Sequence, residues 1–192
     1  VYNGKLYGGT AQSGKLYEWN GTNAWVEKAP KLGTEKFILS LCVYNGKLYG
    51  GTSANGKLYE WNGTNAWVEK APKLGAEGTI LSLCVYNNKL YGGTSANGKL
   101  YEWNGTNAWV EVAPKLGAET YIWSLCVYNG KLYGCTYPNG KLYEWNGTNA
   151  WVEKAPTLGV ESCYSLCVYN GKLYGGTYPN GKLYEWNATL KP

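Results

Sequence analysis

The string VYNGKLYGGT begins at Val1, and near-copies of it begin at Val43, Val85, Val127 and Val168. Four copies run on through KLYEW and AWVE, as at Lys57 and Ala66, and the fifth ends as NATLKP at Pro192. A unit this short cannot bury both of its faces alone. Only stacking of neighbouring units gives a continuous core, so the repeat limits the chain to a small set of repeat architectures. The whole chain, 1–192, reads as one domain of repeats starting near residues 1, 43, 85, 127 and 168.

Each copy predicts four short strands, here Ile80–Tyr86, Lys89–Thr94, Lys99–Asn104 and Ala108–Ala113. Tyr, Trp, Val, Leu and Thr dominate them, as suits a pleated, half-buried surface. Asn-Gly, as at Asn45-Gly46, separates strands one and two and favours a tight type I′ hairpin. NGTN separates strands three and four, and a Pro-bearing segment ends strand four. No segment shows useful helical periodicity. A four-stranded antiparallel meander of this length is the unit of a β-propeller, so the predicted fold is an all-β, five-bladed propeller. Strand one would line the channel, where Ser40, Cys42, Ser82 and Cys84 are suitably small. Closure is expected from packing of the last copy, Cys163–Pro192, on the first, Val1–Pro30. The first copy lacks most of strand one and the last lacks a clear strand four. A monomer is expected, with an oligomer that completes the missing edge strands as the alternative.

Composition removes most chemistry. All 18 basic residues are Lys, all 13 acidic residues are Glu, and His is absent. Without His there is no Ser-His-Asp or Cys-His pair, and most zinc, iron and calcium patterns cannot be written. No catalytic residue, metal or other cofactor is therefore expected. The net charge of +5 comes from Lys at repeat intervals. Without Arg to read phosphate or guanine, no nucleic-acid partner is expected. No apolar run reaches membrane-spanning length, so no membrane partner is expected either. No secretory signal is visible and the chain does not begin with Met, which reads as a trimmed chain of open localisation.

The layout NGKLYGGT…GKLYEW…AWVEKAPKLG…SLCVYNG resembles the tachylectin-like five-bladed lectins along the whole chain. That resemblance implies a binding module for N-acetylated sugars, with pockets between adjacent blades near one rim, and favours an extracellular location. The near-identity of the copies also looks like a recently amplified or consensus-engineered propeller. A structural or engineered scaffold without a natural ligand is the second reading.

Comparison of the copies locates a candidate binding face. The NG and NGTN turns barely change, whereas the other two connections do. Between strands two and three the copies read AQSG, SANG, SANG, YPNG and YPNG. Before strand one they read TEKFIL, AEGTIL, AETYIW and VESCY. Both variable sets emerge on one face, and loops on a rigid scaffold often carry binding. The candidate ligand residues there are Phe37, Tyr121, Tyr137 and Tyr178 as ring platforms, with Gln12, Asn55, Asn97, Asn139 and Asn180 as amide donors and acceptors. Trp123 and Tyr164 lie within strand one and read as packing residues. The recurrent Trp of strands three and four read as inter-blade core. The recurrent Glu18, Glu60, Glu102, Glu144 and Glu185 read as partners of Lys rather than as a catalytic pair.

Cys42, Cys84, Cys126 and Cys167 share one repeat position and read as small buried hydrophobes. Cys135 and Cys163 fall outside the repeat register, in adjacent copies and on the variable side. They are a disulfide candidate, set against two independent small-residue substitutions.

Overall fold

The computed structural model describes residues 1–159 and 161–187. Five antiparallel sheets follow one another along the chain in a propeller arrangement, with no helix among the described residues. Blade one has three strands, β1 (Tyr7–Gly9), β2 (Leu16–Trp19) and β3 (Trp25–Ala29). Blade two has β4 (Phe37–Tyr44), β5 (Lys47–Ser53), β6 (Leu58–Trp61) and β7 (Trp67–Ala71). Blade three has β8 (Ile80–Tyr86), β9 (Lys89–Thr94), β10 (Leu100–Trp103) and β11 (Trp109–Ala113). Blade four has β12 (Tyr121–Tyr128), β13 (Lys131–Tyr137), β14 (Leu142–Trp145) and β15 (Trp151–Ala155). Blade five has β16 (Ser162–Tyr169), β17 (Lys172–Tyr178) and β18 (Leu183–Trp186). Each sheet is a simple meander.

The turns take the conformations their residues favour. Asn45 and Gly46 have φ of 47° and 71°, a type I′ pair that matches the strand twist. In the NGTN turns the first Asn acts as an Asx cap. Asn62 Oδ1 accepts the N–H groups of Thr64, Asn65 and Ala66 at 2.9–3.0 Å.

Blades join through one repeated junction. The strand-three Trp of blades two to five sits among two Tyr of the blade before it. Trp103 lies 5.9 Å from Tyr44 and 5.3 Å from Tyr49, centroid to centroid, and Trp61, Trp145 and Trp186 are seated in the same way. Leu58 with Leu90, and Leu100 with Leu132, fill the same seams. The Gly-Gly pair of strand two makes room on both sides. A Cβ on Gly50 would come within 3.2 Å of the Trp67 ring, and one on Gly51 within 2.7 Å of Ile80 in the next blade. The inner strands β4, β8, β12 and β16 lie side by side. Ser40 Oγ accepts the Leu83 N–H at 2.8 Å and Ser124 Oγ accepts that of Leu166 at 3.0 Å, which explains the small polar residue there.

The junction expected between the last copy and the first is not built among the described residues. No core cluster spans blades five and one. Leu183 is 71% exposed, although its equivalents Leu16, Leu58 and Leu100 are fully buried. The physical reason lies in the first copy. Only a Tyr2–Lys5 bridge precedes β1, so blade one has no inner strand to lie against β16 in the way that β4, β8, β12 and β16 lie side by side. The expected absence of a strand after Asn187 falls on residues outside those described.

Candidate functional site

The variable ends of blades four and five converge on one aromatic patch. Tyr121 and Tyr137 are cross-strand partners at the ends of β12 and β13, their rings edge to face at 5.1 Å. Tyr121 stacks on Trp123 at 5.6 Å and 10°, and Trp123 stacks on Tyr164 of blade five at 4.4 Å and 18°. Tyr164 in turn meets Tyr178 at 5.4 Å. Five rings thus form an unbroken series across the blade boundary. Tyr137 and Tyr178 are the exposed ends, and the three rings between them are half-buried. Burial raises the Tyr164 phenol above its ordinary pKa, and Tyr137, Tyr178 and Tyr121 push it the same way.

Trp123 and Tyr164 owe their position to a β-bulge. The ladder of β12 on β13 slips between Ile122 and Ser124, and that of β16 on β17 between Cys163 and Ser165. The extra residue of each bulge is the aromatic one, and a bulge re-aims its side chain. The same slip brackets Leu39 and Leu81 in blades two and three, where the residue is aliphatic. Both rings do pack, as their place in strand one suggests, but they pack on the candidate ligand residues.

The other candidates divide differently. Phe37 pairs with Ser53 in blade two, and Gln12 sits exposed at the tip of the blade-one loop with φ of 64°. The side chains of the four Asn are committed to buried carboxylates. Asn55 Nδ2 donates to Glu35 at 2.6 Å, Asn97 to Glu77 at 2.7 Å and Asn139 to Glu119 at 2.7 Å, and Asn180 donates to Glu161. This narrows the expectation that these amides serve a ligand, because their nitrogens already hold carboxylates that are at most 1% exposed. The backbone of each Glu also rests on the preceding blade's loop. A Cβ on Gly56 would stand 3.0 Å from the Glu77 carbonyl oxygen. Each Glu therefore latches two consecutive variable loops together. The signal was present in the sequence: Glu is constant in four connections that otherwise vary.

On the opposite face the recurrent Glu are ion-paired, as read from their register. Glu60 takes Lys47 at 2.9 Å and the Tyr49 hydroxyl at 2.8 Å. Burial alone would push its carboxyl up, but Lys47, Tyr49 and Lys70 outweigh it and hold the pKa below the ordinary value. The repeated Cys form a row on the inner strands. Burial, with Cys42 and Cys126 alongside, pushes the Cys84 thiol up to about 12.

Cys135 and Cys163 meet across the boundary of blades four and five, as their singular positions suggest, but the disulfide is not formed. Both are buried free thiols, and Cys135 Sγ donates to the Cys163 carbonyl at 3.1 Å. Their equivalents explain the pair. At the three preceding seams a Gly faces an Ile: Gly9 faces Ile38, Gly51 faces Ile80 and Gly93 faces Ile122, with a Cβ on Gly93 falling 2.8 Å from Ile122. Cys135 replaces the Gly and Cys163 the Ile, so one side grows as the other shrinks.

No family profile and no curated protein matches the chain. Solved structures do share its fold. The extracellular domain of a hybrid two-component system from B. thetaiotaomicron superposes with a TM-score of 0.71 at 18% identity, over 100% of this chain and 26% of that one. A catalytically inactive virginiamycin B lyase from Staphylococcus aureus gives 0.75 at 11% identity, over 98% and 68%. The computationally designed protein Ika8 gives 0.65 at 13% identity, over 98% and 57%. The chain thus spans about a quarter of the first of these proteins and about two thirds of the second. At such identities the likeness is one of fold.

Proposed function

We propose that this chain is a non-catalytic carbohydrate-binding module whose site is the aromatic patch of blades four and five. The observation that carries the reading is the unbroken series Tyr137, Tyr121, Trp123, Tyr164 and Tyr178. Aromatic faces receive the C–H edges of a sugar ring, and the Tyr hydroxyls both donate and accept hydrogen bonds. The latches beneath the patch fix its loops, so little ordering entropy is lost on binding. The tachylectin-like layout supports the same ligand class and adds N-acetylated sugars as the first to try. A glycan array tests the reading: saturable hits are expected, and Tyr137→Ser together with Tyr178→Ser should abolish them without unfolding the protein. An array without hits, or affinity untouched in the double variant, refutes it.

The second reading, a scaffold without a natural ligand, is favoured by the sameness of the four internal junctions. It requires an empty array.

A further inference from the structure

We infer that the outer faces of blades five and one form a head-to-tail docking pair, whose partner is a second copy of this chain. Every internal junction has two halves. The trailing half offers two Tyr and a strand-three Leu, as with Tyr44, Tyr49 and Leu58. The leading half offers a strand-two Leu and a strand-three Trp, as with Leu90 and Trp103.

Blade five ends in a trailing half and blade one begins with a leading half, and neither is covered among the described residues. Tyr169 is 64% exposed and Leu183 lies in the open on the same blade, while Leu6 of blade one is 48% exposed. Trp19, the missing ring of the set, rests on Trp25 of its own blade at 5.6 Å. The surfaces are therefore of known complementarity, since the same chemistry is packed at each internal junction of the molecule. The two faces belong to one chain but do not pack on each other among the described residues. A second copy can bring them together without bending either arc. Blade one lacks its inner strand and blade five is described with three strands, so the rebuilt seam is smaller than an internal one. The contact is heterologous, and successive copies form an open chain or a ring.

The test is sedimentation of the intact chain across a concentration series. The wild type should exceed the mass of one copy, 21.2 kDa, increasingly with concentration. Leu183→Lys and Leu6→Glu each spoil one face at an exposed position, so both variants should keep the wild-type circular dichroism and, at dilutions where the wild type is a single copy, its thermal midpoint. Each alone should sediment as a single copy. Mixed in equal amounts they retain one intact face of each kind and should give a discrete two-copy species. A wild type that stays a single copy at all concentrations overturns the inference, whether the arc remains open or closes on itself. So does a mixture that yields no two-copy species. Because neither substitution touches the aromatic patch, glycan binding is expected to be the same in both variants.

Discussion

The Trp123 indole and the Tyr164 phenol stack face to face across a blade boundary, 4.4 Å apart, although each is the surplus residue of a bulge in its own strand. The stack joins the tyrosines of blade four to Tyr178 of blade five, so one contact makes two small clusters into a single platform. Tyr164→Leu should keep the fold while breaking the platform. The expected cost is about 0.5–1.5 kcal/mol of stability, with loss of the near-ultraviolet dichroism of the stacked pair. Unchanged near-ultraviolet dichroism would show that the stack does not persist in solution.

The latches predict a contrast between two polar residues of the same loop set. Asn139→Ala removes a donor from a fully buried carboxylate and should cost about 1–3 kcal/mol. Gln12→Ala, at an exposed loop tip, should fall within about 0.5 kcal/mol of wild type. Urea titration of the two variants checks this, and equal midpoints would contradict the latch.

The Gly–Ile seams predict coupling. Gly93→Cys alone drives a side chain into Ile122 and should cost about 1–3 kcal/mol. Adding Ile122→Cys, which reproduces the Cys135–Cys163 pair, should recover most of that loss. A double-mutant cycle reads the interaction, expected at about 0.5–3 kcal/mol. Additive costs would mean that the two Cys arose independently.

Acid should destabilise the protein along a predictable limb. Lys and Tyr partners hold Glu60 and Glu144 below the ordinary carboxyl value of 4.5, against the upward push of burial. A depressed folded pKa contributes stability that is fully present above the unfolded value and is lost as pH falls through the folded one. The thermal midpoint should therefore hold between neutral pH and about 5 and fall below about 4.5. Glu60→Gln with Glu144→Gln should make that fall shallower. A limb of the same steepness in the double variant would assign it to other groups.

Thiol labelling of the native protein at pH 8 should be ordered. Exposed Cys167 should react first. Cys42 and Cys84, whose thiols burial raises to about 11 and about 12, should react slowly, and fully buried Cys135 last. After unfolding without reductant all six should be free. Mass spectrometry of the labelled peptides gives the order, and fewer than six labels would point to a Cys135–Cys163 bond formed in solution.

Much of the architecture was legible because a repeat compares itself. Asn45-Gly46 named its own turn, and the Lys47–Glu60 pair followed from residues held in register. The aromatic patch was only half legible. Tyr121, Tyr137 and Tyr178 stand at strand ends, where variation is visible, but Trp123 and Tyr164 required the bulge. A slip of register is a property of two strands together and has no marker in either. The latches were missed for a different reason. Asn139 looked like an exposed loop amide, and its partner Glu119 sits 20 residues earlier, in a connection judged by its differences. The unbuilt junction of blades five and one was half legible: the first copy visibly lacks most of strand one, but the count of five copies does not show whether a ring closes without it.

The latch has a consequence for how such a chain changes length. Each of the three middle copies presents an Asn to the Glu before it and a Glu to the Asn after it, as Asn97 meets Glu77 and Glu119 meets Asn139. A tandem duplication of one whole copy therefore supplies a mate for every group it separates. A duplication out of phase with the repeat would strand a buried carboxylate. Recombination can vary the number of blades in whole steps at little cost, while the phase of the repeat is held fixed by electrostatics.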